Sequence, residues 1–201
     1  MPTPVVISAA VEGPLDEVVV RRLIACAGGQ HGAVYGKNGK DRLRRQIQGY
    51  NNAARRTPWL VLVDLDNDAE CAPPLRQSWL ADPAPFLCFR VAVRQIEAWL
   101  LADHEALASY LGVARAKIPP DPESLPNAKD AMVNLASKSR RKDIRTDMVP
   151  RPQSGRVVGP AYSSRMIEFV ERYWRPEVAA ERADSLRRAI SCLRELIMAI
   201  P

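Results

Sequence analysis

The sequence predicts an α/β protein with a mainly parallel sheet flanked by helices and a helical extension at its C-terminal end. Strand and helix patterns alternate from residue 4 to residue 111, which is the order expected of parallel strands joined by helices. The pattern at residues 59–65 is apolar on both faces, as in the buried middle of such a sheet. After Gly112 only helix and loop patterns remain. We therefore expect an α/β core over residues 1–112 and a helical and loop extension over 113–201, packed on that core.

The individual elements follow from local signals. Pro14 suits the first position of a helix, and Gly28-Gly29 suits its end. Before Gly112, the patterns predict strands at 4–11, 32–35, 59–65 and 86–93, and helices at 15–27, 41–56, 73–81 and 95–111. After it, they predict helices at 127–138, 161–174 and 177–199, separated by proline-rich loops.

Composition narrows the class of protein. The chain has 201 residues and a formal net charge of +6, which is compatible with a polyanionic partner. No apolar run approaches the roughly 20 residues of a membrane span, and the N-terminus opens directly into a strand pattern. We therefore expect a cytoplasmic protein without a membrane partner. The four cysteines are far apart and form no Cys-x-x-Cys pair, so the sequence predicts neither structural zinc nor a disulfide framework.

Two carboxylates follow the central apolar strand. Asp64 and Asp66 are two residues apart, so on an extended strand they project to the same side. In parallel sheets ligands bind beyond the carboxyl ends of the strands, where these acids fall. Two acids there repel each other unless a cation lies between them, and oxygen ligands favour Mg²⁺ or Mn²⁺. The alternative is a turn, since Asp-Asn-Asp is common turn chemistry.

Three further acids belong to the same hypothesis. Glu12 lies between the first apolar strand and Gly13-Pro14, where an acid has little structural role. Asp16 follows at the start of the next helix, where the helix dipole alone could explain it. Glu97 interrupts an apolar surface at the junction of a strand and a helix, so it must be paired, metal-bound or exposed.

These residues resemble the Toprim domain. The similarity rests on Val11-Glu12-Gly13-x-x-Asp16 followed by an apolar strand ending Asp64-x-Asp66. The segment Glu97-Ala-Trp-Leu-Leu-Ala-Asp103 is similar to an uncharacterised bacterial group related to the Toprim nucleases of the overcoming-lysogenisation-defect type. The resemblance covers most of the chain and implies a Toprim, Rossmann-like fold.

The resemblance also implies a Mg²⁺-dependent nuclease that cleaves phosphodiester bonds. By similarity, Glu12, Asp16 and Asp64 would hold one metal, and Asp66 and Glu97 would help hold a second. Two cations about 4 Å apart can activate water and stabilise both oxygens of the displacement. Lys129 is the nearest match to the lysine that related nucleases use to steady developing negative charge, although it could equally be a surface lysine of its helix.

Related proteins often stand beside a separate ATPase in phage-defence operons. This chain has no Gly-x-x-x-x-Gly-Lys-Ser/Thr phosphate loop, so any dependence on ATP must come from a partner. The resemblance therefore implies the effector of a two-gene antiphage or plasmid defence system, acting on nucleic acid that we expect to be DNA.

Basic residues provide candidate phosphate contacts. The helix pattern at 41–56 is strongly basic, and a second run follows residue 138. The candidates are Arg42, Arg45, Arg140, Arg141, Lys142 and Arg145. Such runs are otherwise typical of a solvated face.

Two alternative functions remain open at this point. The fold could be kept as a non-catalytic docking or regulatory subunit of the ATPase. Asp64-x-Asp66 after an apolar strand is also the signature of phosphohydrolases with an aspartyl nucleophile, although in those proteins the motif normally ends the first strand. The sequence leaves a homodimer open.

Overall fold

The computed structural model describes residues 4–200, and within them the chain divides into two compact units. The first comprises the residues up to Val93 together with those from Ser185 onward, and the second is Arg94–Asp184. The sequence predicted a single boundary near residue 112, whereas the structure places it after Val93 and returns the last helix to the first unit.

The first unit is built on a four-stranded sheet whose strands are all parallel, with helices between the strands, which confirms the predicted α/β class. Its strands are β1 (Val6–Val11), β2 (Gln30–Gly36), β3 (Trp59–Asp64) and β4 (Leu87–Ala92). Its helices are α1 (Pro14–Cys26), α2 (Lys40–Ala53), α3 (Ala72–Trp79) and, after the second unit, α10 (Asp184–Met198). The predicted elements over residues 4–93 are therefore all present, with ends shifted by a few residues.

The strand order β2-β1-β3-β4 decides where this sheet can bind a ligand. From β1 the chain crosses to β2 on one side of it, and from β3 it continues to β4 on the other side of the sheet. The carboxyl ends of β1 and β3 therefore flank the point at which the order of the strands reverses. In open α/β sheets, ligands bind in the crevice at this position.

Alternation along β3 explains the helix layers. Trp59, Val61 and Val63 belong to one buried cluster that contains Leu43 of α2 and Leu75 of α3. Side chains at even positions of β3 project to the opposite face, because successive residues of a strand alternate. The right-handed sense of β-α-β connections places α1 on that face. Because helices cover both faces of β3, nearly every residue of this strand is apolar, as its sequence shows.

The last helix is tied to the first unit by two contacts. The Ser185 hydroxyl accepts a hydrogen bond of 3.2 Å from the backbone N–H of Val93. A disulfide joins Cys88 of β4 to Cys192 of α10, whereas the sequence predicted no disulfide framework. The two cysteines gave no sequence signal of pairing, because they are 104 positions apart and the whole second unit lies between them.

The second unit is helical. It contains α4 (Ile96–Ala102), α5 (His104–Leu111), α6 (Ala128–Ser137), α7 (Lys142–Met148), α8 (Tyr162–Arg172) and α9 (Pro176–Ala179). The sequence did not predict α7, and it predicted one helix where the structure has α4 and α5.

Asp103 accounts for that break. Its φ of −84° and ψ of 73° interrupt the helix, and its carboxylate accepts a hydrogen bond from the N–H of Ala106 as the N-cap of α5. The same fully buried carboxylate also accepts hydrogen bonds from the backbone and guanidinium of Arg175. A continuous helix would lose the cap, so a tertiary ion pair overrides the apolar periodicity here.

Candidate functional site

Two acids meet where β1 and β3 end. Glu12 follows the last residue of β1, and Asp64 is the last residue of the neighbouring β3. The carboxylate of Glu12 accepts a 2.9 Å hydrogen bond from the backbone N–H of Asp64. The structure therefore brings together two predicted site residues that are 52 positions apart in the sequence.

A turn after β3 adds two more acids. The N–H of Asp68 donates to the carbonyl of Leu65 at 3.3 Å, and Asp66 has a φ of 49° in the left-handed region. Aspartate tolerates this conformation better than most residues, and such outliers concentrate at functional sites. The carboxylates of Asp66 and Asp68 both reach the ammonium of Lys40, at 2.8 and 2.7 Å.

The loop before α2 delivers Lys40 to these acids. The N–H of Lys37 donates to the carbonyl of Val11 at 2.9 Å, and the N–H of Gly39 donates to that of Glu12 at 3.0 Å. Gly36 has a φ of 88°, and a Cβ there would collide with the Val11 carbonyl oxygen. Glycine is therefore required for the close approach of this loop to the end of β1.

The charges of the cluster influence one another. Burial raises the pKa of Glu12 above its ordinary value; the Asp64 N–H and Lys40 oppose this rise, and Asp66 and Asp68 add to it. Burial alone would lower the pKa of Lys40, but hydrogen bonds to Asp66 and Asp68 outweigh it and leave that pKa raised. Lys40 therefore remains a cation held against a group of acids whose charges repel one another.

Asp16 lies close to the same end of the sheet. It is buried in the first turn of α1, and its Oδ2 lies 3.1 Å from the place that a Cβ on Gly13 would occupy. The neighbouring Glu17 forms ion pairs of 2.8 Å with Arg21 and 2.9 Å with Lys37. Glu17 therefore belongs to a separate ion-pair network, in which hydrogen bonds from Arg21 and Lys37 lower its pKa.

The donor chemistry of this cluster fits a hard divalent cation. Glu12, Asp64, Asp66 and Asp68 offer only oxygen donors, and Lys40 supplies a single positive charge against four carboxylates. Among residues 4–200, no three His, Cys, Asp or Glu side chains are arranged as a group that could hold a metal ion. The acids would have to turn away from Lys40 in order to bind a metal through Asp66 or Asp68.

The other predicted residues lie in the second unit, where they form a cluster of their own. Glu97, only 2 % exposed, accepts a 3.2 Å hydrogen bond from the Tyr162 hydroxyl through Oε1. The same oxygen lies 3.5 Å from the ammonium of Lys129. Its other oxygen, Oε2, is buried and has no hydrogen-bond partner in the described part of the chain. Burial, with Glu97 beside it, holds the pKa of Tyr162 well above its usual value.

The start of α6 positions Lys129. The Asn127 side chain caps this helix by accepting from the N–H of Asp130 at 3.0 Å, and the side-chain oxygen of Gln95 accepts from the N–H of Lys129 at 3.1 Å. Two anchors thus hold the first turn of α6 beside Glu97. The sequence paired neither Lys129 nor Tyr162 with that acid by position, since they are 32 and 65 residues away.

The predicted basic residues differ in their contacts. Arg42 and Arg45 are exposed on α2, and Arg140 and Lys142 are exposed around the start of α7. Arg141 instead donates to Asp143 at 2.7 Å and to the Tyr110 carbonyl at 2.9 Å. Arg145 donates to the Ser139 carbonyl at 2.5 Å. These last two guanidiniums hold the local fold together in addition to carrying charge.

Lys40 and Asp68 are the site residues that the sequence did not single out. The available signal for Lys40 was the pair of glycines three residues apart immediately before it, which is typical of a tightly turned loop. For Asp68 the signal was its place two residues after Asp66. Contact between Lys40 and these acids depends on the strand order, which periodicity alone does not provide.

None of the helices between residues 4 and 200 combines the length and the hydropathy that crossing a bilayer requires. No protein-family model matches the chain, and neither the curated proteins nor the solved structures contain a significant match. The resemblance to Toprim proteins therefore rests on the motif residues and their placement alone.

Proposed function

We propose that the chain is a Mg²⁺-dependent nuclease that cleaves phosphodiester bonds. The observation that carries this proposal is the placement of Glu12, Asp64, Asp66 and Asp68 at, or just after, the carboxyl ends of β1 and β3, where the strand order reverses. Oxygen donors at this position suit a cation and the phosphate that it would bind. The net positive charge of the chain suits a polyanionic substrate.

The residues of the cluster would have different roles in the reaction. Glu12, Asp64 and Asp66, with Asp16, would hold Mg²⁺ or Mn²⁺. When bound, the cation would polarise a phosphoryl oxygen and lower the pKa of a bound water. Lys40 can donate hydrogen bonds to negative charge that develops on the phosphate once its acid partners bind the metal. The Asp64 N–H keeps the Glu12 carboxylate oriented throughout.

Two lysines are thus candidates for stabilising the developing charge. The resemblance implies Lys129, together with Glu97 as a metal ligand, whereas contact with the acid cluster favours Lys40. Lys40→Gln and Lys129→Gln, measured side by side, decide between them. Substitution of the lysine that serves the reaction should lower the rate by about a hundredfold to a thousandfold, the range for removal of one stabilising donor.

The experiment is a cleavage assay on single- and double-stranded DNA and on RNA, with Mg²⁺, with Mn²⁺ and with a chelator. Glu12→Gln and Asp64→Asn should each abolish metal-dependent cleavage, and their effects should not add, because the acids act as one unit. Glu70→Gln is the matched control, since Glu70 is an exposed acid on the loop after β3. Equal cleavage by wild type and Asp64→Asn would exclude this nuclease site.

A non-catalytic docking subunit is the second candidate, and Lys40 is the observation that favours it. An ammonium already bridges Asp66 and Asp68, so the acids have a cation supplied by the chain itself. On this hypothesis Asp64→Asn keeps its full biological effect. A phage-protection or plasmid-loss assay, with the ATPase partner that the resemblance implies co-expressed, separates the two functions and also tests a role in defence.

The aspartyl-nucleophile alternative makes a different chemical prediction. It requires a phosphate ester on Asp64 during turnover, which acid quench and mass spectrometry would detect. The metal-water route leaves no phosphorylated protein. Phosphate on Asp64 would therefore replace the nuclease proposal by a phosphohydrolase.

A further inference from the structure

We infer that a cavity in the second unit is a binding site for a nucleoside monophosphate group. The cavity lies between α5 and the C-terminal end of α8 and has a volume of about 450 Å³. Two tyrosines and three arginines are among the residues that line it. This volume falls within the roughly 300–1,000 Å³ of small-molecule sites. The inference does not depend on the proposed nuclease activity.

One wall of the cavity is aromatic and rigid. The rings of Tyr110 and Tyr173 are 5.4 Å apart, and the buried Phe169 lies 5.3 Å behind Tyr110. The Tyr110 hydroxyl donates to Glu168 and is thereby fixed, whereas Tyr173 is 47 % exposed. An exposed aromatic ring supported by a fixed one is a surface on which a planar base can stack.

The arginines supply the complement to a phosphate. Arg172 is 67 % exposed, and its guanidinium makes no hydrogen bond within residues 4–200, only an ion pair of 3.8 Å with Glu168. The Nε and Nη2 atoms of Arg175 are held by Asp103 and Glu105. The guanidinium of Arg141 lies over Tyr110, 5.9 Å from the ring centroid. Guanidinium groups bind phosphate through paired hydrogen bonds, and Arg172 has its donors available for this.

Glu105 is the one acid in the lining. It is 75 % exposed and pairs with Arg175 at 3.1 Å. Its charge opposes the entry of a phosphate and also engages a donor that a phosphate could use. Glu105→Gln should therefore strengthen binding of a phosphorylated ligand and leave binding of the unphosphorylated nucleoside unchanged.

Titration calorimetry with the full chain in chelator tests the site without involving the metal cluster. AMP, adenosine, inorganic phosphate and a short oligo(dA) are the probes. We expect AMP to bind more tightly than adenosine or phosphate, since it alone among the three engages both the aromatic wall and the arginines. Arg172→Gln should weaken AMP by about tenfold, which corresponds to 1.4 kcal/mol. Arg194→Gln, an exposed arginine of the other unit, is the charge-matched control.

The ring contribution has its own matched pair. Tyr173→Phe keeps the stacking surface and should retain the affinity for AMP. Tyr173→Ala removes that surface and should weaken the affinity by about tenfold or more, within the range of base–aromatic stacking. Binding of oligo(dA) but not AMP, sensitive to Arg172→Gln, would assign the site to nucleotides within a strand; AMP binding would assign it to free nucleotides. No binding of either probe at millimolar concentration, or binding that Arg172→Gln and Tyr173→Ala leave unchanged, would overturn the inference. Cleavage activity can fail or succeed independently of each result.

Discussion

At the scale of single residues, Glu12 combines a position at the carboxyl end of β1 with an unfavourable local electrostatic environment. Its carboxylate is partly buried, and the charges of Asp66 and Asp68 add to the effect of burial in raising its pKa. A group with a raised pKa in the folded state favours folding when it is protonated. That contribution is full below the ordinary value of 4.5 and is lost as the pH rises through the folded-state pKa.

Glu12→Gln should therefore stabilise the protein at pH 7 while abolishing metal-dependent cleavage. The amide keeps an oxygen that can accept from the Asp64 N–H, and it removes the buried charge. Thermal unfolding in chelator should show a higher melting temperature than wild type at pH 7, and the difference should disappear near pH 4. A variant that melts lower than wild type at pH 7 would contradict this electrostatic account.

Lys40→Gln should have the opposite effect on stability and should strengthen metal binding. Without the ammonium, Asp66 and Asp68 lose their partner, so the melting temperature in chelator should fall. Added Mg²⁺ should then raise it by more than it raises wild type, because no resident cation competes. Lys37→Gln is the matched control, since Lys37 pairs with Glu17 instead. An equal metal-dependent increment in all three proteins would show that Lys40 does not compete with a metal.

At the scale of elements, the break between α4 and α5 depends on one buried carboxylate. Asp103→Ala removes the cap of α5, worth about 1 kcal/mol, and hydrogen bonds to the charged Arg175, each worth about 1.5–3 kcal/mol, so we expect a loss of about 3 kcal/mol. Chemical denaturation should show this loss in the free energy of unfolding. Glu105→Ala, which removes an exposed acid that pairs with the same arginine, should cost about 1 kcal/mol or less. Similar losses in the two variants would refute the role given to Asp103.

The basic segment around α7 contains two kinds of side chain. Arg140 and Lys142 are exposed and can contact phosphate, whereas Arg141 already donates hydrogen bonds within the protein. Arg140→Gln with Lys142→Gln should weaken DNA binding similarly across sequences and reduce the salt slope by about 2, one for each phosphate contact. Arg141→Gln should also destabilise the second unit, because the substitution removes the hydrogen bonds from Arg141 to the Tyr110 carbonyl and to Asp143. A salt slope unchanged by the double substitution would show that this run is only a solvated face.

The elements of the first unit were predictable because each is encoded locally. The apolar run of β3 and the signals around Pro14 and Gly28 mark their elements without long-range information. The helix predicted at 95–111 was wrong at Asp103, because its apolar periodicity continues across a break that Arg175, 72 residues away, stabilises. The acids of the site were visible as strand-end residues. Lys40 was not, because its place beside Asp66 and Asp68 follows from the order of the strands.

At the scale of the whole molecule, candidate chemistry is distributed over two compact units. The first unit carries the acid cluster and Lys40, and the second carries the cluster of Glu97, Lys129 and Tyr162 together with the arginine- and tyrosine-lined cavity. The chain leaves the first unit after Val93 and returns at Ser185, so the second unit is an insertion before the last helix. Each set of residues can therefore be tested by substitutions confined to its own unit.

The central claim is that the acids at the ends of β1 and β3 hold a divalent cation, and calorimetric titration of Mg²⁺ or Mn²⁺ tests it most directly. Wild type should bind the metal at metal concentrations in the millimolar range or below. The bound metal should raise its melting temperature by mass action. Asp64→Asn should lose most of both effects, whereas Glu195→Gln, an exposed acid on α10, should retain them. Wild type that shows neither metal binding nor a thermal shift, or Asp64→Asn that matches wild type, would contradict the account.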